Sequence, residues 1–287
     1  MTLRTRLGRR LNRRFFADAQ VAVLASGWLV LMACSDPVTQ RRDGVDRMMF
    51  PDDSALEPPD PDDIPPPPPR DRRPRRAADA LVARCANEGG EHGRSVGRAT
   101  DGELVQGCEL PERGPGYLCR HPARFGTPFV VAALQSAAAQ VVRVHGPGPE
   151  LVIGALSADG GGRLRPHRSH QSGRDADVGL FALDGISTKA FRALRPSELD
   201  VERTWTAISS LVRTGRVVYV FLDMDLQEPL FRYLERSDVD EATLERLFQY
   251  PGGHDTKRGL IRHASGHRDH FHVRFACGRE DGEDCLD

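Results

Sequence analysis

The sequence has few aromatic residues and almost no net charge, and each absence narrows the class of protein. Aromatic residues make up 6% of the 287 residues, so any core depends mainly on leucine, valine and alanine. Lysine and arginine number 40 against 41 aspartates and glutamates, which gives a formal net charge of −1. Without a basic surplus there is no general attraction for polyanions, and we expect no nucleic-acid partner.

A long hydrophobic run is missing from the N-terminal region. The apolar stretch at residues 21–33 is too short to span a bilayer comfortably, and it follows an arginine-rich start without acids. This pattern is typical of a secretory signal. The stretch ends in LMACS, which resembles a bacterial lipobox, so we predict a lipoprotein-type signal peptide at residues 1–33 and lipidation of Cys34.

The same features predict an exported, periplasmic protein that is anchored to a membrane by lipid at Cys34. An ordinary cleavable signal, in which Cys34 is incidental, is the alternative. NRRFF at residues 12–16 faintly resembles a twin-arginine signal, so the export route stays open between the two systems.

Large apolar residues are scarce in residues 34–76, which are rich in proline, aspartate and arginine. Such a segment cannot bury a core, and we predict a disordered tether. A proline-rich protein-binding segment is the alternative. The folded domain is therefore expected at residues 77–287.

The first chemical signal is the alternating sequence HFHVRF near the end of the chain. Phe271 and Val273 alternate with His270, His272 and Arg274, which predicts a half-buried strand. Side chains two residues apart on a strand point to the same face. Both imidazoles should therefore face one cleft.

A second motif lies about a hundred residues earlier. We interpret it as a loop that carries His170, followed by a strand that carries Asp177. These two residues and one histidine of the His-x-His pair would provide three nitrogen and oxygen ligands, which with an open position is typical of catalytic zinc. The remaining histidine could serve as general base or stabilise the transition state. No GxSxG or SxxK motif lies around these segments, so serine catalysis has no support.

The two motifs together resemble those of a known family. HRSHQSGRDAD at residues 167–177 and GHRDHFHVR at residues 266–274 are similar to the motifs of penicillin-insensitive murein endopeptidases. These are zinc peptidases of the lysostaphin and D-Ala-D-Ala carboxypeptidase type. The matching flanking residues are Ser169, Gln171, Gly173, His267, Val273 and Arg274.

The resemblance implies specific roles for the residues of both motifs. One zinc ion per chain would be held by His170, Asp177 and His272. His270 would be the catalytic histidine, and His267 a second catalytic candidate or a residue that orients the ligands.

The resemblance also implies residues around the ligands and a substrate. His167, Gln171 and Arg274 would line the cleft, bind substrate or orient the ligands. The substrate would be peptidoglycan, cleaved at the D-alanyl–diaminopimelyl bond of its cross-links by a zinc-activated water. A D,D-carboxypeptidase with the same site and a non-catalytic peptidoglycan-binding lipoprotein are the alternatives.

Apolar patterning and turn residues predict helices and strands without a regular βαβ repeat. We therefore expect an α+β fold with a mainly antiparallel central sheet flanked by helices, and the metal site in a cleft on the sheet. The predicted helices lie at residues 77–86, 128–144, 197–214, 230–235 and 241–250. The predicted buried strands lie at residues 149–155 and 217–222.

Cysteine is also sparse, with six residues and no zinc-type CxxC spacing. In an exported chain, cysteines are expected to form disulfides. The family resemblance implies a local disulfide between Cys277 and Cys285. Cys108 could pair with Cys119, and Cys85–Cys108 is the alternative.

Overall fold

The computed structural model describes residues 93–186 and 190–287. The signal peptide predicted at 1–33, the tether at 34–76, the helix at 77–86, and both Cys34 and Cys85 lie outside the described residues. The start of the domain at residue 77 lies outside them as well. These features stay predictions.

Eleven strands form one large sheet and two small ones within the described residues. In chain order they are β1 (Arg94–Arg98), β2 (Asp101–Val105), β3 (Cys108–Glu109), β4 (Arg113–Gly114), β5 (Tyr117–Cys119), β6 (Phe125–Gly126), β7 (Leu151–Ile153), β8 (Asp175–Gly179), β9 (Val217–Phe221), β10 (Ile261–Arg262) and β11 (His270–Phe275). The large sheet has seven strands in the order β10-β9-β11-β8-β7-β5-β4. Only the β10–β9 and β5–β7 pairs are parallel. The prediction of an α+β fold with a mainly antiparallel sheet is confirmed.

Helices complete the fold of the described residues. They are α1 (Pro128–His145), α2 (Val201–Val212), α3 (Met224–Glu235) and α4 (Glu241–Leu247). Helix α1 begins as its sequence predicts, because Thr127 accepts a hydrogen bond from the amide of Val130 and proline occupies the first helical position. In the described part of the chain, no helix is both long and apolar enough to cross a membrane.

Two predicted helix starts were wrong. Helix α2 begins at Val201 because Asp200, not Ser197, accepts the capping hydrogen bond, from the amide of Arg203. Helix α3 begins at Met224, well before residue 230, because the Asp223 side chain accepts from the amide of Asp225. In both cases an aspartate cap sets the boundary.

The two faces of the large sheet have opposite character. Phe271, Val273 and Phe275 are fully buried on one face, as the alternation predicts. Helix α1 packs there, with the ring of Phe129 edge-on to Phe275 at 5.8 Å. Burial of each such side chain stabilises the fold by about 2–3 kcal/mol. The sheet is thereby anchored on this face, and its other face carries the polar residues of β8 and β11.

The disulfides agree with one prediction and contradict another. Cys277 and Cys285 are bonded. Cys119, however, is a free buried thiol, whereas Cys108 is disulfide-bonded, so the Cys108–Cys119 pairing was wrong. The reason is topological, because Cys119 ends β5 in the large sheet while Cys108 begins β3 in a separate sheet. The Cys85–Cys108 pairing stays a prediction.

Candidate metal centre

The register of three adjacent strands places the site residues in two rows. Strand β11 lies between β8 and β9, and cross-strand partners share a face. The upper row consists of Phe221, His272 and Asp177. The supporting row, one step along the strands, consists of Tyr219, Arg274 and Asp175. The polar face of the sheet is thus layered, with histidine above arginine and one aspartate beside each.

Three side-chain atoms converge at the upper row. The Nε2 of His170 lies 3.2 Å from the Oδ1 of Asp177 and 3.2 Å from the Nδ1 of His272. That Nδ1 lies 3.0 Å from the same aspartate oxygen. Ligands about 2.0–2.1 Å from a tetrahedral zinc lie about 3.3 Å apart, so this triangle has the size that such an ion requires.

The outer nitrogen of each imidazole is fixed by an oxygen that can only accept. His170 donates from Nδ1 to the carbonyl of Leu156 at 2.6 Å. His272 donates from Nε2 to the carboxylate of Asp175 at 3.1 Å. In the neutral form of each ring, these bonds leave the inner nitrogen with its lone pair toward the centre, as metal-binding histidines require.

The backbone of His170 adopts a conformation that is rare outside glycine. Its φ is 66°, in the left-handed region, where a residue with a Cβ is strained by about 1–2 kcal/mol. Two buried hydrogen bonds hold it there. Its amide donates to Asp175 at 2.8 Å, and its carbonyl accepts from the Ser157 hydroxyl at 2.8 Å. The strained turn directs the imidazole into the site.

Asp175 is the principal residue that sequence reasoning missed. This fully buried carboxylate accepts from Arg274 at 2.7 Å as well as from His272 and the His170 amide. Burial would raise the pKa of Asp175, but Arg274 and His272 hold it well below its usual range. Asp175 lies two residues before Asp177 on β8 and so shares its face, but nothing in the sequence indicates the partners of Asp175.

His167 lies next to His170 and Asp177 in the structure. His167, His170 and Asp177 form a group that could hold a metal ion, with ligand atoms all within 4.8 Å of one another. Its Nδ1 lies 3.6 Å from the Oδ2 of Asp177. The structure thus brings together the three residues that the family resemblance implies as ligands, and His167 lies beside them.

The two catalytic candidates, His270 and His267, lie beside these residues. The Nε2 of His270 lies 3.7 Å from the Oδ1 of Asp177. The ring of His267 lies 4.9 Å from that of His270, and its Nδ1 contacts the carbonyl of Ser265 at 3.1 Å. Burial, then the neighbouring His270 and His272, lower the pKa of His267 to about 4. His267 is therefore neutral near pH 7.

The other two candidates from the sequence, Gln171 and Arg274, form hydrogen bonds beside the site. The side-chain amide of Gln171 donates to the carbonyl of Thr100 at 2.7 Å. This bond connects the loop that carries His170 to the turn between β1 and β2. Arg274 is buried, and it bonds to Asp175 and to the hydroxyl of Tyr219. Both residues thus join segments that carry residues of the site.

The two carboxylates of the site keep His272 protonated. Burial would lower the pKa of His272, but Asp175 and Asp177 raise it to about 9. Burial would likewise raise the pKa of Asp177, yet His170 and His272 keep it well below its usual range. Both aspartates are therefore ionised at neutral pH, and the protonated ring of His272 contacts both of them.

The fold and the site define an α+β domain with a candidate histidine–aspartate metal centre. The sequence profile of a family described as penicillin-insensitive murein endopeptidase matches residues 95–287. The chain belongs to this family. It is also similar to the penicillin-insensitive murein endopeptidase of Haemophilus influenzae, with 28% identity over 186 residues. The match spans 63% of each chain.

Proposed function

We propose that this protein is a zinc-dependent murein endopeptidase that hydrolyses the peptide cross-links of peptidoglycan outside the cytoplasm. The observation that carries the proposal is the convergence of His170, Asp177 and His272 on one point, in a chain of this family. The D-alanyl–diaminopimelyl bond is the proposed target. Two neutral imidazoles and one carboxylate are a donor set that suits zinc better than calcium or magnesium.

The residues of the site divide the work of hydrolysis. Zinc, when bound, would supply a Lewis acid and a water that loses its proton near neutral pH. His270 faces the cleft side of Asp177, where its Nε2 can carry a proton to the leaving amine. In the overall reaction the water oxygen bonds to the carbonyl carbon, the carbon–nitrogen bond breaks, and the amine gains a proton. Buried Asp175 and Arg274 keep the ligands in place throughout.

The proposal is tested by digesting purified, cross-linked peptidoglycan with the full-length chain. Products are identified by mass spectrometry, with and without a chelator, beside His272→Ala. We expect conversion of cross-linked dimers to monomers, abolished by the chelator and by the substitution. Release of terminal D-alanine alone would identify a D,D-carboxypeptidase. Wall binding without any cleavage by the metal-loaded protein would overturn the enzymatic proposal.

A further inference from the structure

The ring of His270 is held on two sides by residues that have no role in the proposal so far. Its Nδ1 lies 2.6 Å from the Oδ1 of Asp269. Phe191 stacks on the ring, with centroids 4.8 Å apart and planes inclined by 12°. Its Nε2 faces Asp177 at 3.7 Å, and the ring of His267 lies 4.9 Å away. The imidazole is thus fixed in both its rotation and its tautomer.

Two glycines make room for the ring of Phe191. Gly154 and Gly179 lie beneath its ring, where a Cβ on Gly154 would come within 2.5 Å of the ring and one on Gly179 within 3.2 Å. The absence of two side chains therefore creates the space that Phe191 fills.

Two hydrogen bonds hold the segment that carries Phe191. Arg192 bonds to Asp184 at 2.7 Å, and the amide of Leu194 donates to the carbonyl of Arg268 at 3.1 Å. The second bond joins the segment directly to the loop that precedes His270. A backbone hydrogen bond therefore connects the segment that carries Phe191 to the segment that carries His270.

We propose that Phe191 and Asp269 are positioning residues for His270, an inference that rests on the proposed function. A carboxylate can only accept, so Asp269 keeps the proton of the neutral ring on Nδ1 and the lone pair on Nε2. Stacking of Phe191 prevents the ring from turning away from the cleft. Both contacts are made to His270 and not to the proposed ligands. Metal binding should therefore survive their loss.

The kinetic test uses the full-length chain and a purified cross-linked muropeptide. We expect Phe191→Leu and Asp269→Ala each to lower kcat about 10- to 100-fold, with KM within about twofold and metal content unchanged. Tyr233→Leu removes a half-buried ring elsewhere and should leave kcat unaltered. Full kcat in both variants, or a loss entirely in KM, would overturn the inference.

A second readout does not depend on cleavage. Nitrogen-15 spectra of the histidines report the tautomer of each ring, and His270→Gln identifies the His270 signals. We expect the Nδ1–H tautomer in the wild-type protein and a shift toward Nε2–H in Asp269→Ala. An unchanged tautomer would refute the role of Asp269. If the chain cleaves no peptidoglycan, the proposed function fails, and this spectrum still decides the assignment for Asp269.

Discussion

At the scale of single residues, Asp175 joins three residues of the site without being a proposed ligand: the His170 amide, His272 and Arg274. Replacement by asparagine keeps the size of the side chain but removes the charge that faces Arg274 at 2.7 Å. We expect metal affinity to fall about 10- to 100-fold, because His272 loses its carboxylate partner. The free energy of unfolding should fall by about 3 kcal/mol, because a buried arginine is left without its counter-charge.

Chelator competition and denaturant unfolding measure these two effects. Asp284→Asn is a suitable control, because this aspartate is exposed and forms only a surface pair with Arg94. Wild-type affinity in Asp175→Asn would show that the hydrogen bond to His272 contributes nothing to metal binding.

His167 and His272 can be distinguished as ligands by substitution. His272 Nδ1 lies 3.0 Å from the Oδ1 of Asp177, whereas His167 contacts the other carboxylate oxygen at 3.6 Å. We expect His272→Ala to lose stoichiometric metal on dialysis, while His167→Ala retains most of it. Elemental analysis of the dialysed proteins is the measurement. The reverse result would assign His167 to the ligand set in place of His272.

Metal affinity should depend on pH through His272. Its pKa is raised to about 9, so the ring carries an extra proton at neutral pH, and a metal ion must displace that proton from Nδ1. The apparent affinity should therefore rise with pH, by up to about tenfold per unit between pH 6 and 8, and level off above pH 9. Competition with a chelator, corrected for its own protonation, tests this. An affinity that is flat over this range would contradict it.

At the scale of elements, the sequence predicted what alternation and capping determine. Strand β11 was predictable because apolar and polar residues alternate over its length. The starts of α2 and α3 were missed because Asp200 and Asp223 compete as caps with nearby residues, and only the packed structure selects among them. The partners of Asp175 and Phe191 could not be predicted from the sequence, because these contacts join segments that are distant in the chain.

The C-terminal residues are hydrogen-bonded to Arg174, which lies in the segment between His170 and Asp177. Arg174 is buried and donates to the carbonyls of Phe275 and Leu286, at 3.1 and 2.6 Å. The Cys277–Cys285 disulfide closes the loop that presents Leu286, over a separation of eight residues. Replacement of both cysteines by serine should lower the free energy of unfolding by about 2.5 kcal/mol.

The same double substitution should weaken metal binding, because Arg174 lies between His170 and Asp177. Thermal unfolding and chelator competition test the two effects on one protein. The double substitution Arg94→Gln with Asp284→Asn, which removes only a surface pair of the same region, is the control. A drop in stability without any change in affinity would mean that the loop supports the fold alone.

At the scale of the whole molecule, anchoring and catalysis are assigned to separate parts of the chain. Every proposed ligand and catalytic residue lies between residues 167 and 274, whereas the predicted lipidation site is Cys34. A tether that is rich in proline and charge can extend over many residues without folding. The anchor should therefore determine where the protein acts without changing the proposed chemistry of the site.

This separation predicts the behaviour of Cys34→Ser. In cells the variant should leave the membrane fraction, because a cysteine thioether that carries the lipid can no longer form. The purified variant should release muropeptides at the wild-type rate, because the substitution lies far along the chain from the site. Fractionation, the mass of the mature N-terminus and the digestion assay test these statements together. A variant that stays in the membrane fraction would refute lipid anchoring at Cys34. A variant that loses activity in solution would show that the N-terminal region takes part in folding or catalysis.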